Sequence, residues 1–529
     1  MRKGGRTTVL LLSLFLTGCG GDVVEVPEPR LRSISVDETE LVLPAEGTAE
    51  LHFSVRDPEA VFEALELVRS DGELPVEYSL LRVLSGDGPG RYTAVIRDHG
   101  TEPLYRESAQ LRIVLGAGTG RVSYIASPSF TVESEAAASG GIVLKTGLPV
   151  VRISTEGGAE IRSKEDYLPA RLSIDGKGTA PDLQELGCEI RGRGNTTWTW
   201  PKKPYLVRLE SRTEVLGMPS HRRWVLLANF MDRTLMRNLL ASHVAALTAL
   251  DWTPSCVPVE LVLNGRHEGS YLLTEQIRVD RNRLDLPEDG FLLELDFHFD
   301  NPVQWISPYG RSGMVPGGIP FSVKHPEPEN LSPERLSQIK DKVEKAAAAL
   351  YGPDFKDPEK GYAAFLDVGS FIDYWIVFEV MGNHELGNPG SIFMHGSPSG
   401  KIVAGPCWDF DWGALSYRTS PQAQRGLINR HAIWYDRLFE DPAFCSKLRA
   451  RYEELLPALS GVPAFIDSTE RLLTASARLN FALWDPSEDA SQNGGQIING
   501  DEYLSFHEAV VRLKDIYSER LEIIRKNLP

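Results

Sequence analysis

Residues 405–413 read Gly405-Pro406-Cys407-Trp408-Asp409-Phe410-Asp411-Trp412-Gly413, with two carboxylates two positions apart among bulky aromatics. If the stretch is extended, Asp409 and Asp411 point one way while Trp408, Phe410 and Trp412 take the other face. Two close carboxylates in a half-buried setting repel each other. They stay ionised most easily with a divalent metal or a cationic side chain between them. The tract therefore reads either as a hard-cation site or as a strand end whose acids cap a helix or pair with arginines.

The residues before the tract add order. A helical pattern ending near Gly382 runs into Asn383-His384-Glu385-Leu386-Gly387-Asn388-Pro389-Gly390. Two short strand candidates follow, Ser391 to Met394 and Lys401 to Ala404, and then Asp409. An acid-bearing loop, an amide, a hairpin and a metal-binding aspartate is the order of parts that protein kinases use. Farther upstream, Arg191-Gly192-Arg193-Gly194-Asn195-Thr196-Thr197-Trp198 precedes Lys202-Lys203-Pro204-Tyr205. Glycines let backbone amides approach a phosphate, and guanidinium and ammonium groups hold its charge. The spacing is not that of a Walker loop, since no Gly-Lys-Ser/Thr follows. The competing reading is an Arg/Gly/Asn turn whose arginines bridge loops.

Other polar residues admit structural readings. Glu275 is either the partner of a nucleotide-contacting lysine or a solvated strand-end acid. Asp232 suits an N-cap, and Arg237 ties the following helix to another element. Glu294 and Asp296 alternate with apolar neighbours as the polar face of a strand, and His243 sits on a helix as a core or boundary residue. Trp198, Trp200, Trp408 and Trp412 suit packing, with stacking on a base or sugar as the alternative.

The chain has 529 residues, a length that predicts more than one domain. Residues 1–18 have the form of a signal peptide: Arg2, Lys3 and Arg6, then an apolar run from Val9 to Leu16, then Thr17-Gly18 before Cys19. That run is too short to span a bilayer, and small residues before a cysteine resemble a bacterial lipobox. Cleavage and lipidation at Cys19 would tether the protein to a membrane, at the cell envelope. Loss of the three basic and no acidic residues before Cys19 takes the formal charge from −17 to −20, which argues against nucleic acid as a partner. Cys188, Cys256, Cys407 and Cys445 contain no Cys-x-x-Cys; export would permit disulfides whose pairing four cysteines leave open, and buried free thiols are the preferred reading.

Residues 19–30 read as a tether. Alternating runs such as Ala49-Glu50-Leu51-His52-Phe53-Ser54-Val55, separated by turn signals, predict an Ig-like β-sandwich over 31–135, with a linker at 136–147. Beyond it, Leu235, Leu239, Val244 and Leu247 predict a helix, as do Leu336 to Leu350 behind Ser332-Pro333 and Val510 to Ile524. A further helix is expected to begin at Ser370 and to carry Phe371, Tyr374, Trp375 and Phe378. Asn264-Gly265 between two apolar runs predicts a hairpin. The order is that of an α+β domain, not a regular βαβ alternation.

Several segments together resemble the spore-coat protein H (CotH) kinase family: Arg193-Gly194-Asn195-Thr196-Thr197-Trp198, Lys203-Pro204-Tyr205, Trp224 to Asn229 with Asp232 and Arg237-Asn238, Gly269 to Glu275, and Gly405 to Asp411. The resemblance covers roughly residues 148–529. It implies a protein-kinase-like fold that binds ATP with Mg2+ and transfers the γ-phosphoryl group to serine or threonine of an extracytoplasmic acceptor protein. Carried over by position, it implies that Lys203, with Lys202 as an alternative, contacts the phosphates. The Arg193-Gly194-Asn195 turn covers them, Glu275 pairs with the lysine, and Asp409 with Asp411 holds magnesium, with Asn388 a second metal ligand. Glu385 stands where the family usually has an aspartate acting on the acceptor hydroxyl. The longer side chain motivates the alternative of a catalytically silent surface lipoprotein that binds or assembles.

Overall fold

The computed structural model describes residues 33–44, 47–56, 64–99, 105–115, 123–134, 144, 146–298, 301–487 and 499–529. Cys19 and the segments expected to be a signal peptide (1–18) and a tether (19–30) lie outside the described residues.

The N-terminal region is all β. It contains β1 (Ser33–Val36), β2 (Glu40–Leu43), β3 (Thr48–Arg56), β4 (Ala64–Arg69), β5 (Tyr78–Ser85), β6 (Arg91–Asp98), β7 (Arg106–Leu115), β8 (Ser123–Ala126) and β9 (Phe130–Ser134). One sheet has the order β1-β3-β6-β5 and the other β2-β9-β7-β4, with β8 on β7. The period-two alternation of β3 turns Leu51, Phe53 and Val55 inward against Leu67, Ile96, Leu111 and Phe130.

A seven-stranded closed barrel follows: β10 (Val150–Thr155), β11 (Leu168–Asp175), β12 (Leu183–Gly192), β13 (Tyr205–Val215), β14 (Met218–Leu227), β15 (Cys256–Leu263) and β16 (Arg266–Glu275). The β15–β16 hairpin turns at Asn264 and Gly265, whose φ angles of 51° and 80° suit a primed two-residue turn. Parallel pairing of β10 with β15, Val150 opposite Glu260, closes the ring. Ile153, Ile174, Ile190, Val207, Trp224, Val259 and Leu273 belong to the barrel's apolar core. Between β14 and β15 the chain leaves the ring to form α1 (Arg237–Ala246).

The remaining chain builds a second sheet with helices on it. Strands β17 (Phe291–Leu295), β18 (Gln304–Ser307), β19 (Ile319–His325), β20 (Ile392–Gly396) and β21 (Val403–Ala404) have the order β18-β19-β17-β20-β21. The helices are α2 (Pro333–Tyr351), α3 (Val368–Val380), α4 (Tyr435–Leu438), α5 (Pro442–Leu483) and α6 (Phe506–Asn527). Their apolar faces share one core with β17, β19 and α1. Within it Glu379 of α3 and Arg520 of α6 form a fully buried ion pair at 2.8 Å. Glu379 also accepts from Ile428 N and Asn429 N, so its charge has fixed donors on both sides.

Some local expectations shift. Helix α3 starts at Val368, not Ser370, because Asp367 caps it by accepting from Ser370 N at 2.8 Å. Asp373, on that helix, pairs with Arg451 at 2.8 Å. The N-cap residue of α1 is Met236, but the buried carboxylate of Asp232 reaches round to accept from Arg237 N at 2.8 Å and pairs with the Arg237 guanidinium. Arg237 joins that helix to other elements through Ala414 O and Asp501. Cys188, Cys407 and Cys445 are buried free thiols, and Cys256 is half-buried and free. Among the described residues no helix is long and apolar enough to cross a membrane.

Candidate functional site

The Trp-Asp-Phe-Asp tract is not a strand. Residues 405–410 have no regular secondary structure, and Asp409 adopts φ +67°. The three aromatics therefore do not share a face. Phe410 enters the main core, its ring 4.7 Å from that of Phe378, whereas Trp408 packs with Leu284, Leu292 and Phe393. Trp412 stays 37% exposed and leans on the His384 ring at 4.9 Å. The carboxylates of Asp409 and Asp411 nevertheless act on each other, Asp409 pushing the Asp411 carboxyl upward.

Other segments meet them. Glu385 opens the short 3₁₀ turn Glu385–Gly387 just beyond α3, with its N–H bonded to Asn383 Oδ1 at 2.8 Å. Burial and the charges of Asp409 and Asp411 push its carboxyl well above the usual range. Burial and Asp409 do the same to Asp411, with Asp232 adding to the effect and Arg193 opposing it. Ser391 Oγ donates to Asp409 Oδ2 at 3.4 Å. Arg193 arrives from the β12–β13 connection, lies over the Trp408 ring at 5.6 Å, and feels both Asp409 and Asp411, although burial lowers its pKa. The turn that delivers Arg193 is tight. A Cβ on Gly192 would stand 2.3 Å from the Trp198 ring, and Gly194 has φ +85°. Asn195 is exposed on that turn and makes no side-chain cap.

This grouping of Glu385, Asp409, Asp411 and Arg193 carries more negative than positive charge at the positions that burial penalises most. Oxygen donors of this kind suit a hard divalent cation. Among the described residues no group of three or more His, Cys, Asp or Glu forms a ready-made metal cage. Magnesium differs from zinc in this respect, because it is commonly bound through one or two carboxylates together with substrate phosphates. The residues present thus fit Mg2+ delivered with a polyphosphate. A cavity of about 30 Å³ opens beside Asp409, lined in part by Asn238, Ser242, Cys256, Thr274 and Trp408. Two larger grooves, near 480 and 340 Å³, are lined by none of these carboxylates.

Four residues expected near the phosphates have other surroundings. Lys202 is fully buried, donates to Ala228 O at 2.8 Å, Ser270 O and Asn480 Oδ1 at 2.7 Å, and lies over the Tyr271 ring at 4.4 Å. Burial brings its pKa down to about 7. Lys203 donates to Trp198 O at 2.8 Å, and burial lowers its pKa. Glu275 pairs with Arg283 at 2.6 Å and accepts from Ser255 N, so its partner is an arginine and not a lysine. Asn388 packs its amide oxygen against Gly313, where a Cβ would come within 2.1 Å of it. Glu294 and Asp296 are engaged by Lys324 and His298, and His243 stacks on Phe465 at 3.8 Å.

Sequence reasoning did not find Ser391 as the Asp409 partner, nor Asn499, whose amide bonds the backbone of the acidic tract. No local signal marks either. A family model described as CotH kinase protein matches residues 190–524. No curated protein matches the chain. Two solved structures, both described as marsupial T cell receptor, are 9% and 10% identical, cover 37% and 33% of this chain and 97% and 93% of their own, and have TM-scores of 0.16.

Proposed function

Because this chain belongs to the CotH kinase protein family, we propose that its region from about residue 148 to 529 is a protein-kinase-like domain that binds Mg-ATP and transfers the γ-phosphoryl group to serine or threonine of an extracytoplasmic acceptor protein. The supporting observation is the convergence of Arg193, Glu385, Asp409 and Asp411 from separate segments on one strongly acidic site. Mg2+ held with ATP would neutralise charge on the transferring phosphoryl group. Asp409 and Asp411 hold the cation, and their mutual repulsion is relieved by it. Arg193 screens the same carboxylates and faces the phosphates. Glu385, kept in reach of the proton-bearing state by its surroundings, accepts the proton of the acceptor hydroxyl. Catalysis rests on positioning and electrostatics, without a covalent enzyme intermediate. The lipobox-like Cys19 supports tethering at the cell envelope, with the β-sandwich at 31–135 as a spacer or docking module. The formal charge of −17 supports a protein partner over nucleic acid.

The test is thermal stabilisation by ATP with Mg2+, followed by phosphate transfer to a generic Ser/Thr-rich acceptor. The wild type should shift and Asp409→Ala should not. An equal shift in both would overturn the assignment. The catalytically silent reading has its own support, since Lys202 is locked by three acceptors and Glu275 is held by Arg283. It predicts an Mg-ATP shift with no transfer in the wild type and a gain of transfer in Glu385→Asp.

A further inference from the structure

The backbone of the acidic tract is held in an unfavourable shape by side chains from two separate segments. Asp409 sits at φ +67°, a region that costs a non-glycine residue about 1 kcal/mol or more and persists only when the surroundings over-determine it. From α1, Asn238 Oδ1 accepts from Phe410 N at 2.7 Å. The same amide donates to Asn229 Oδ1 at 3.2 Å, and Asn229 in turn donates to Leu235 O. From the stretch before α6, Asn499 Nδ2 donates to Asp411 O at 3.0 Å while its Oδ1 accepts from Gly413 N at 3.2 Å. Ser416 Oγ donates to the Asn499 carbonyl at 3.0 Å, and Arg237 Nε donates to Ala414 O, just past the tract, at 2.8 Å. Asn238 and Asn499 are 8% and 2% exposed, so each commits a buried amide to the main chain around Asp411, Asn238 at the Phe410 N–H between the two aspartates and Asn499 at Asp411 O and Gly413 N.

We infer that Asn238 and Asn499 are positioning residues, an amide clamp from two segments that sets the spacing and direction of the Asp409 and Asp411 carboxylates for a small, hard cation. The inference rests on the Mg-ATP reading above. Neither side chain is placed on the cation or the nucleotide; each acts through the backbone of the residues that are. Mg2+ demands near-ideal octahedral geometry with short bonds, whereas Ca2+ accepts irregular and longer ones. A loosened clamp therefore penalises Mg2+ more than Ca2+. A role in general stability would affect both alike.

The experiment uses the full chain with ATP at a fixed concentration and follows the melting temperature while Mg2+ or, separately, Ca2+ is titrated. In Asn499→Ala the half-saturating Mg2+ concentration should rise about tenfold, the scale seen when supporting partners of metal ligands are removed. The Ca2+ value should move far less. Asn238→Ala, which frees the Phe410 N–H from α1, carries the same expectation if Asn499→Ala does not fold. Equal shifts for the two cations, no shift in either variant, or failure of both variants to fold would each overturn the clamp. If the wild type itself shows no cation-dependent stabilisation with ATP, the Mg-ATP reading falls and the clamp falls with it. A wild type that responds beside variants with an unchanged Mg2+ to Ca2+ ratio sinks the clamp alone.

Discussion

At the scale of single residues, Glu385 is the most exposed to test. Its carboxylate lies in the field of Asp409 and Asp411, and Asn383 anchors the turn that carries it. If Glu385 takes the acceptor proton, Glu385→Gln should lower phosphate transfer by about 10²- to 10⁴-fold, the usual worth of a general base. The Mg-ATP thermal shift should survive. Transfer assays and melting curves on the same preparation separate the two effects, and a variant that loses both would make Glu385 a binding residue instead. The glutamate was legible in the sequence as a departure from the family's aspartate. Its electrostatic neighbours were not, since Asp409 lies 24 positions away and only packing of the loop after α3 against the tract brings them together.

At the scale of elements, Lys202 shows how a charge suited to phosphate becomes structural. Its ammonium joins the end of β14 at Ala228 O, β16 at Ser270 O and α5 at Asn480 Oδ1. The cation thereby fastens the barrel to the long helix. Lys202→Met should take this donor from buried Ala228 O and Ser270 O, while Asn480 Oδ1 keeps Ser270 N, at a cost of about 3 kcal/mol, readable as a lower denaturant midpoint. The Mg-ATP shift of the folded fraction should keep its size, because Lys202 points away from solvent. Helix α5 itself was not legible. Pro457 and Pro463 sit inside its 42 residues and interrupt the pattern that local reading relies on. It forms because Leu455, Leu459, Val462, Ile466 and Leu473 line one buried stripe, and tertiary packing outweighs the local cost.

At the scale of the whole molecule, the β-sandwich is joined to the rest through a charged contact. Arg478 of α5 pairs with Glu77 and stands 3.8 Å from Glu107, both carboxylates almost fully buried in the sandwich. Burial, helped by Glu77, raises the Glu107 pKa to about 7, against the opposing pull of Arg478. A carboxyl whose folded pKa lies above its unfolded value contributes stability that is full below about pH 4.5 and is lost as pH rises through 7. The shift corresponds to something on the order of 3 kcal/mol. Melting temperature should therefore fall from pH 5 to pH 8 in the wild type, and Glu107→Gln should flatten that slope. An unaltered slope in the variant would assign the dependence to other groups.

The amino-acid sequence by itself determined the features whose causes are local. Alternation placed Leu51, Phe53 and Val55 on an inner face, Asn264-Gly265 made a hairpin turn, and Ser332 capped α2. Each follows from sterics or hydrogen bonding within a few residues. Only the tertiary structure decided the partners that lie far along the chain. It closed the barrel by pairing Val150 with Glu260, gave Glu275 to Arg283, locked Lys202 with Asn480, and brought Asn499 to the peptide groups of Asp411 and Gly413. The reason is physical. A polar side chain carries its donors and acceptors wherever it goes, but burial selects which of many chemically equivalent partners it meets, and burial is a property of the packed whole.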